Sequence, residues 1–204
     1  MEQTETWAVV VAAGSGSRFG GPKHALLLGG VPLWSIARDR LLAGGVDGVV
    51  VVGDVEGGVP GGRRRQDSVS NGLAVVPDCA QWILVHDAAR PVASADLVGR
   101  VISRLQEGDM DGVVPAVPTR DTMKQVDGDL VIATVDRAAL VAVQTPQGFG
   151  AAALRRAHKL VGVDVTDDSQ MIELSGGAVV IIPGEPENVK VTFPGDLARI
   201  TGAL

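Results

Sequence analysis

Arg18 and Lys23 stand five residues apart in the segment Ala12-Ala13-Gly14-Ser15-Gly16-Ser17-Arg18-Phe19-Gly20-Gly21-Pro22-Lys23. Glycines at this density let backbone N–H groups come close to phosphate oxygens, and two fixed cations beside them suit a triphosphate. A dinucleotide-binding fingerprint fits at Gly14 and Gly16, but Phe19 then occupies the third glycine position, where helix and strand must pack closely. A P-loop reading fits Gly16 and Gly21, then meets Pro22 and Lys23 where Lys and Ser or Thr are required. Both a nicotinamide dehydrogenase and a P-loop ATPase are therefore disfavoured. What stays open is a phosphate cradle of another kind, or a glycine-rich surface turn carrying two solvated cations.

Other residues could complete such a site. Asp87 follows the apolar run 82–86, and a carboxylate at a strand end can contact a substrate or hold Mg²⁺ directly or through water. Pro91 comes too soon after it for a plain helix cap. Arg90 offers a bidentate phosphate contact, or an ion pair with Asp87 or Asp121. Alternation of Val189, Val191 and Phe193 with Lys190 and Thr192 predicts a strand that points Lys190 into a polar cleft; the alternative is a surface lysine. Thr145, before Pro146, offers a hydroxyl to a ligand or simple turn chemistry. The basic run Arg63-Arg64-Arg65 is too short and isolated for nucleic acid, and a solvated loop is its bland reading. His24, His86 and His158 show no spacing of a catalytic triad or metal cluster.

These residues need a frame. Short β-branched runs at 7–11, 49–52, 82–86, 112–115 and 178–182 alternate with segments at 31–42, 67–75, 94–107 and 151–160, whose apolar residues recur at spacings of three and four. Runs this apolar suggest strands covered on both faces, hence an α/β fold: one αβα sandwich over residues 1–204 with a mostly parallel, Rossmann-like sheet. The glycine loop follows the first strand and so lies at the carboxyl edge of the sheet, where such folds bind ligands. Stretches 119–125 and 131–135 are polar and β-prone around an Asp127-Gly128 turn signal, which predicts a hairpin arm at about 117–137 projecting from the domain. A lone ribbon is marginal in water, so the arm calls for a partner surface.

Composition narrows the partners. The 204 residues carry 18 Lys and Arg against 24 Asp and Glu, a net charge of −6, which disfavours nucleic acid and anionic membranes. Apolar stretches such as 25–37 are broken by Gly29, Gly30 and Pro32, so no transmembrane helix is expected. The single cysteine, Cys79, and an acidic start without a secretory n-region point to the cytoplasm.

The loop resembles the nucleotidylyltransferase signature, Gly-x-Gly-x-Arg followed by Pro-Lys. Further segments extend the likeness: Arg65-Gln66-Asp67-Ser68-Val69, Val85-His86-Asp87-Ala88-Ala89-Arg90-Pro91, Arg120-Asp121-Thr122-Met123-Lys124, Thr145-Pro146-Gln147 and Asn188-Val189-Lys190-Val191-Thr192. They occur in the order seen in 2-C-methyl-D-erythritol 4-phosphate cytidylyltransferases, and the resemblance covers nearly the whole chain. It implies transfer of CMP from CTP to methylerythritol phosphate with release of pyrophosphate, in non-mevalonate isoprenoid biosynthesis, with Mg²⁺ as cofactor. Arg18, Lys23, Arg137 and Lys190 would be the catalytic cations. Ala12, Ala13, Gly62 and Ser68 would read the cytosine, with Gly14, Gly16, Arg65 and Ala88 also on the nucleotide. Asp87, Arg90, Thr122 and Thr145 would bind the acceptor, Asp87 also serving the metal.

The resemblance further implies a homodimer in which the arm brings Arg137 and Thr122 to the neighbour's site; an ion pair of Arg137 with Asp136 or Asp121 within one chain is the competing view. The glycine-rich stretch 53–62 is shorter than expected for the family, and His24 stands where glutamine is frequent. Thr166-Asp167-Asp168 also resembles a family element, but a helix N-cap explains it equally well and no catalytic role is assigned. Ala88-Ala89 favours the methylerythritol type over a ribitol 5-phosphate cytidylyltransferase, which remains an alternative. A non-catalytic nucleotide-binding dimeric interaction protein would keep the loop without needing Arg18, Lys23 and Lys190 together.

Overall fold

The computed structural model describes residues 5–14 and 26–200. Its central sheet contains β1 (Glu5–Val11), β4 (Gly48–Val52), β5 (Ala80–Asp87), β6 (Gly112–Pro118), β9 (Val141–Val143), β10 (Gln147–Gly150) and β11 (Val179–Pro183). The order is β11-β6-β10-β5-β1-β4, with β9 paired to β6. β10 is antiparallel to both β5 and β6, and β9 is antiparallel to β6, whereas the other neighbouring pairs are parallel. Two short strands, β2 (Leu27–Leu28) and β3 (Val31–Pro32), form a separate ribbon before the first helix.

Helices α1 (Leu33–Ala43), α2 (Arg65–Leu73), α3 (Ala95–Gln106), α4 (Ala151–Leu160), α5 (Asp168–Leu174) and α6 (Pro194–Ile200) complete the fold. Strand alternation divides the core between the two sheet faces. Val9, Ile83 and Val85 meet α2, α4 and α5 through Val69, Leu154 and Met171. Ala8, Val10 and Leu84 meet α1 and α3 through Leu41, Val98 and Leu105. The expected layered α/β architecture is present. In α3, Ser94 Oγ accepts from the Leu97 N–H at 3.0 Å, a cap worth about 1 kcal/mol. Five buried apolar side chains, Leu97, Val98, Val101, Ile102 and Leu105, contribute about 1.5–3 kcal/mol each. Packing decides where this helix lies; the cap decides where it starts.

β10 has no apolar run to announce it. The first of its two glycines is required by packing: a Cβ on Gly148 would lie 2.5 Å from Leu105 Cδ1 and 2.6 Å from Val101 Cγ1, so α3 rests directly on the strand. Phe149 turns to the opposite face and is fully buried. Residues 188–192 form no strand, contrary to the alternation pattern. The Val191 N–H donates to Ala89 O at 2.8 Å and its side chain is buried with Leu28, Leu33 and Val92, while Phe193 is exposed.

The arm is a two-stranded sheet of its own, β7 (Met123–Asp127) and β8 (Leu130–Val135). Asp127 pairs with Leu130, so the turn is Gly128-Asp129, one residue beyond the expected Asp127-Gly128. Gly128 has φ +55°, and among the described residues only glycines have positive φ, which marks a type II′ turn with glycine at its first central position. Val126, Leu130, Val131 and Ile132 on this ribbon are exposed. Among the described residues no helix is long and apolar enough to cross a membrane.

Gly148→Ala should destabilise the protein by about 1–3 kcal/mol through overpacking against α3. Urea unfolding measures this; an unchanged midpoint would show that α3 does not seat directly on β10.

Candidate active site

Asp87 is the last residue of β5 and lies beside Val11 at the end of β1. Its Oδ1 accepts from Arg65 Nε at 3.2 Å and its Oδ2 lies 2.6 Å from Lys190 Nζ. Arg65, the first residue of α2, also donates from Nη1 to Asp168 Oδ2 at 2.7 Å. Asp168 opens α5, is 1% exposed, and its other oxygen lies 3.3 Å from His158 Nε2. The result is a row of Lys190, Asp87, Arg65, Asp168 and His158 drawn from five separate stretches of chain.

Burial pushes the Asp87 carboxyl upward, but the Arg65 and then the Lys190 charges outweigh it and hold the group well below the usual carboxylate range. Burial raises Asp168 as well, and Arg65 with His158 brings it below its ordinary value. Burial works against the Arg65 charge, yet its two carboxylates raise its affinity for the proton above that of a free guanidinium. Burial lowers Arg90, and Asp87 offsets this only in part.

A second layer fixes the backbone of Asp87. His86 is fully buried, with Nε2 3.1 Å from Arg90 O and Nδ1 3.0 Å from Thr145 Oγ1. A carbonyl only accepts, so Nε2 carries the proton and Nδ1 accepts from the Thr145 hydroxyl. Thr145 Oγ1 in turn accepts from the Asp87 N–H at 3.1 Å. The hydroxyl expected to meet the acceptor substrate lines the cleft and takes part in this chain. Burial drives His86 down from 6.5 to about 4, against smaller opposing effects of Asp87 and the Arg90 carbonyl.

At the glycine-loop end, a Cβ on Gly61 would lie 2.3 Å from Ala13 Cβ, so the loop after β1 and the loop before α2 touch directly. Ser68 Oγ accepts from the Gly62 N–H at 2.9 Å and donates to Arg64 O at 3.2 Å, holding this loop in shape. The Arg64 N–H donates to Asp67 Oδ2 at 3.0 Å, a reach-back contact that starts α2. Ala12 is buried and its N–H donates to Val52 O, while Gly14 is exposed. Ala88 is buried among Val10 and Leu41, a core position. Gly16, Arg18 and Lys23 lie outside the described residues.

A cleft is lined by Arg65, Asp87, Arg90, Thr145, Gln147 and Lys190, together with Val143, Gln144, Thr166 and Asp167. The Arg90 guanidinium donates to Asn188 O at 2.7 Å and Val143 O at 3.3 Å; it braces the cleft wall instead of pairing with Asp87 or Asp121. Lys190 reaches the cleft from irregular chain anchored by Val191. Arg137 and Thr122 are exposed at the base of the arm and do not line this cleft. Arg137 donates to Arg120 O, not to Asp136 or Asp121.

The sequence patterns contain Asp168, His158 and Gln147 but assign them no role in the site. Asp167 does cap α5, accepting from the Gln170 N–H at 3.0 Å, in agreement with the cap reading of Thr166-Asp167-Asp168. The same cap delivers Asp168 to Arg65. No group of three or more His, Cys or acidic side chains that could hold a metal occurs among the described residues. Asp87 alone fits Mg²⁺, which typically takes one or two carboxylates and completes its shell with phosphate oxygens and water.

Comparison with known proteins bears on the family and the fold. A family model described as IspD, 2-C-methyl-D-erythritol 4-phosphate cytidylyltransferase, matches residues 6–204. The chain is 45% identical over 229 residues to a Streptomyces coelicolor protein named 2-C-methyl-D-erythritol 4-phosphate cytidylyltransferase, covering 98% of this chain and 84% of that one. It is 43% identical over 227 residues to a Solidesulfovibrio magneticus protein named bifunctional enzyme IspD/IspF, covering 97% of this chain and 56% of that one. The chain thus spans little more than half the length of such bifunctional relatives. The solved structure of the Francisella tularensis 2-C-methyl-D-erythritol 4-phosphate cytidylyltransferase aligns with a TM-score of 0.86 at 25% identity, over 98% of this chain and 100% of that one. The Thermus thermophilus enzyme of the same name aligns at 0.80 with 33% identity, over 98% and 99% of the two chains.

Removing Arg65 strands the buried Asp168 carboxylate with His158 alone, so Arg65→Leu should cost about 3–5 kcal/mol of stability. Lys190, with a side chain 42% exposed, should cost less than about 1 kcal/mol as Lys190→Ala. Urea unfolding of both variants checks this ranking, and equal losses would contradict it.

As pH falls, the unfolded chain takes up the His86 proton near 6.5 and the folded chain only near 4. Stability is therefore fully present above about pH 6.5 and declines between 6.5 and 4, by up to roughly 3 kcal/mol from this group. Unfolding free energy followed across that range should show the slope in the wild type and a flatter one in His86→Gln. Identical slopes would remove His86 as its cause.

Proposed function

Because the chain belongs to the 2-C-methyl-D-erythritol 4-phosphate cytidylyltransferase family, we propose that it transfers CMP from CTP to 2-C-methyl-D-erythritol 4-phosphate, in isoprenoid precursor biosynthesis in the cytoplasm. The observation that carries this reading is the buried Asp87 carboxylate held between Arg65 and Lys190 at the sheet edge; the close approach of Ala13 and Gly61 is assigned to one wall of the base pocket.

An oxygen of the acceptor phosphate attacks the α-phosphorus of CTP; the new P–O bond forms as the bond to the bridging oxygen breaks, and pyrophosphate leaves. The nucleophile is already anionic at neutral pH and needs no general base, which accords with a His86 that is buried, neutral and hydrogen-bonded on both ring nitrogens. The enzyme's task is to hold two polyanions together and offset charge on the phosphoryl oxygens. Lys190 is poised for the acceptor phosphate, a dianion that competes with Asp87 for the same ammonium. Arg18 and Lys23 are assigned to the triphosphate. Mg²⁺, held by Asp87 and phosphate oxygens, would supply further charge neutralisation.

The arm supports a homodimer with shared sites. Its apolar residues are exposed, it forms a separate two-stranded sheet, and Arg137 and Thr122 do not line the cleft of their own chain. They are assigned to the cleft of the second copy.

Pyrophosphate release from CTP and Mg²⁺ should require methylerythritol phosphate and be weak with ribitol 5-phosphate; release with neither acceptor would leave a nucleotide-binding protein. Lys23→Ala and Arg137→Ala should each lower turnover by about a hundredfold or more. Mixed after verified subunit exchange, the two variants should recover activity through one intact site, and no recovery would refute shared sites.

A further inference from the structure

Gln147 belongs to the Thr145-Pro146-Gln147 motif, yet the reaction as described gives it no task. It is the first residue of β10, opposite Val85 of β5, and is 1% exposed while lining the cleft. Its Nε2 donates to Asp167 Oδ2 at 2.8 Å. Asp167 is engaged on both oxygens: Oδ1 accepts from the Gln170 N–H and Oδ2 also accepts from Ser169 Oγ at 2.9 Å. A carboxylate can only accept from the amide, so the Gln147 nitrogen must face Asp167 and the orientation of the amide is settled. Its carbonyl oxygen, Oε1, is then left buried with no hydrogen-bond partner among the described residues. Burying such an acceptor unsatisfied is costly, and a ligand that donates to it recovers that cost.

The sheet order says which ligand can reach it. The nucleotide loops follow β1 and precede α2, on the β1–β4 side of the sheet. β10 lies on the other side of β5, two strand spacings or roughly 10 Å from β1. Between them stand Asp87 and Lys190, where the acceptor phosphate is assigned. An acceptor atom on that side of Asp87, away from the nucleotide loops, is placed to meet the polyol portion of an acceptor whose phosphate is assigned to Lys190, more readily than the ribose or base.

We infer that Gln147 Oε1 accepts a hydrogen bond from a hydroxyl of the polyol phosphate and so sets acceptor specificity, an assignment that rests on the cytidylyltransferase reading. Asp167 is the positioning residue: by holding the amide nitrogen it presents the oxygen. A site built in this way rejects an analogue lacking the matching hydroxyl, because the buried carbonyl is again unpartnered.

The test compares kcat/KM for methylerythritol phosphate with that for its monodeoxy analogues, each lacking one hydroxyl, in the wild type and in Gln147→Met. In the wild type one analogue should lose about tenfold or more relative to the others. In Gln147→Met that selective loss should disappear, with kcat/KM for CTP at saturating acceptor changed far less. A structural role for Gln147 alone would lower every acceptor by one common factor and leave the selective loss in place. That result overturns the inference, as does a wild type indifferent to every deletion. Gln147→Asn, which retains the amide but draws its oxygen back by one methylene, takes the same measurement if the methionine variant does not fold. A wild type that turns over CTP with no polyol phosphate fails the cytidylyltransferase reading itself, whereas turnover of methylerythritol phosphate without selective loss fails the Gln147 assignment alone.

Discussion

A carboxylate withdrawn from water stays ionised only when cations replace the water, and Asp87 meets that condition through Arg65 and Lys190. The two cations are not equivalent. Arg65 is shared with Asp168, which is more deeply buried and backed by His158, so its guanidinium is part of the frame. Lys190 is half-exposed and holds a single carboxylate. One partner is structural and the other is available for exchange, a division that follows from burial alone. The rest of the site is arranged around it: α2 starts where Arg65 must stand, α5 where Asp168 must stand, and residues 188–192 are tied to Ala89 so that Lys190 arrives at the same point.

Much of the frame is legible from residue patterns. The five apolar runs correspond to β1, β4, β5, β6 and β11 within a few residues, because strands buried on both faces need unbroken β-branched sequence. The main helices likewise carry their period. β10 is not legible, since a strand compressed beneath α3 needs Gly148 and leaves no apolar run to read. The pattern around Lys190 suggests a strand because alternating burial looks alike in a strand and in irregular chain pinned by one buried valine.

The site is legible as a set of residues more than as a set of partnerships. Asp87, Arg90, Thr145, Lys190 and Arg65 do converge on one cleft. Arg65, expected on the nucleotide, is the counter-ion between two acids. Thr145, expected on the acceptor, also orients His86 and the Asp87 backbone. Such roles depend on contacts over 22 to 103 residues of sequence separation, which spacing within a motif cannot encode. Asp168 escapes assignment because a helix cap accounts for its neighbour, and one local explanation masks a distant one.

The reversed direction of β10 changes what this sheet edge can display. Parallel strands present only their final residues there, and whatever lies beyond must be carried by connecting chain. An inverted strand brings its opening residue to the same rim, so a side chain is mounted on the hydrogen-bonded lattice itself and inherits its rigidity. The cleft thereby has a fixed rest on one flank and connecting loops on the other, and any change of shape at that rest has to begin by rebuilding a ladder position instead of retouching a loop.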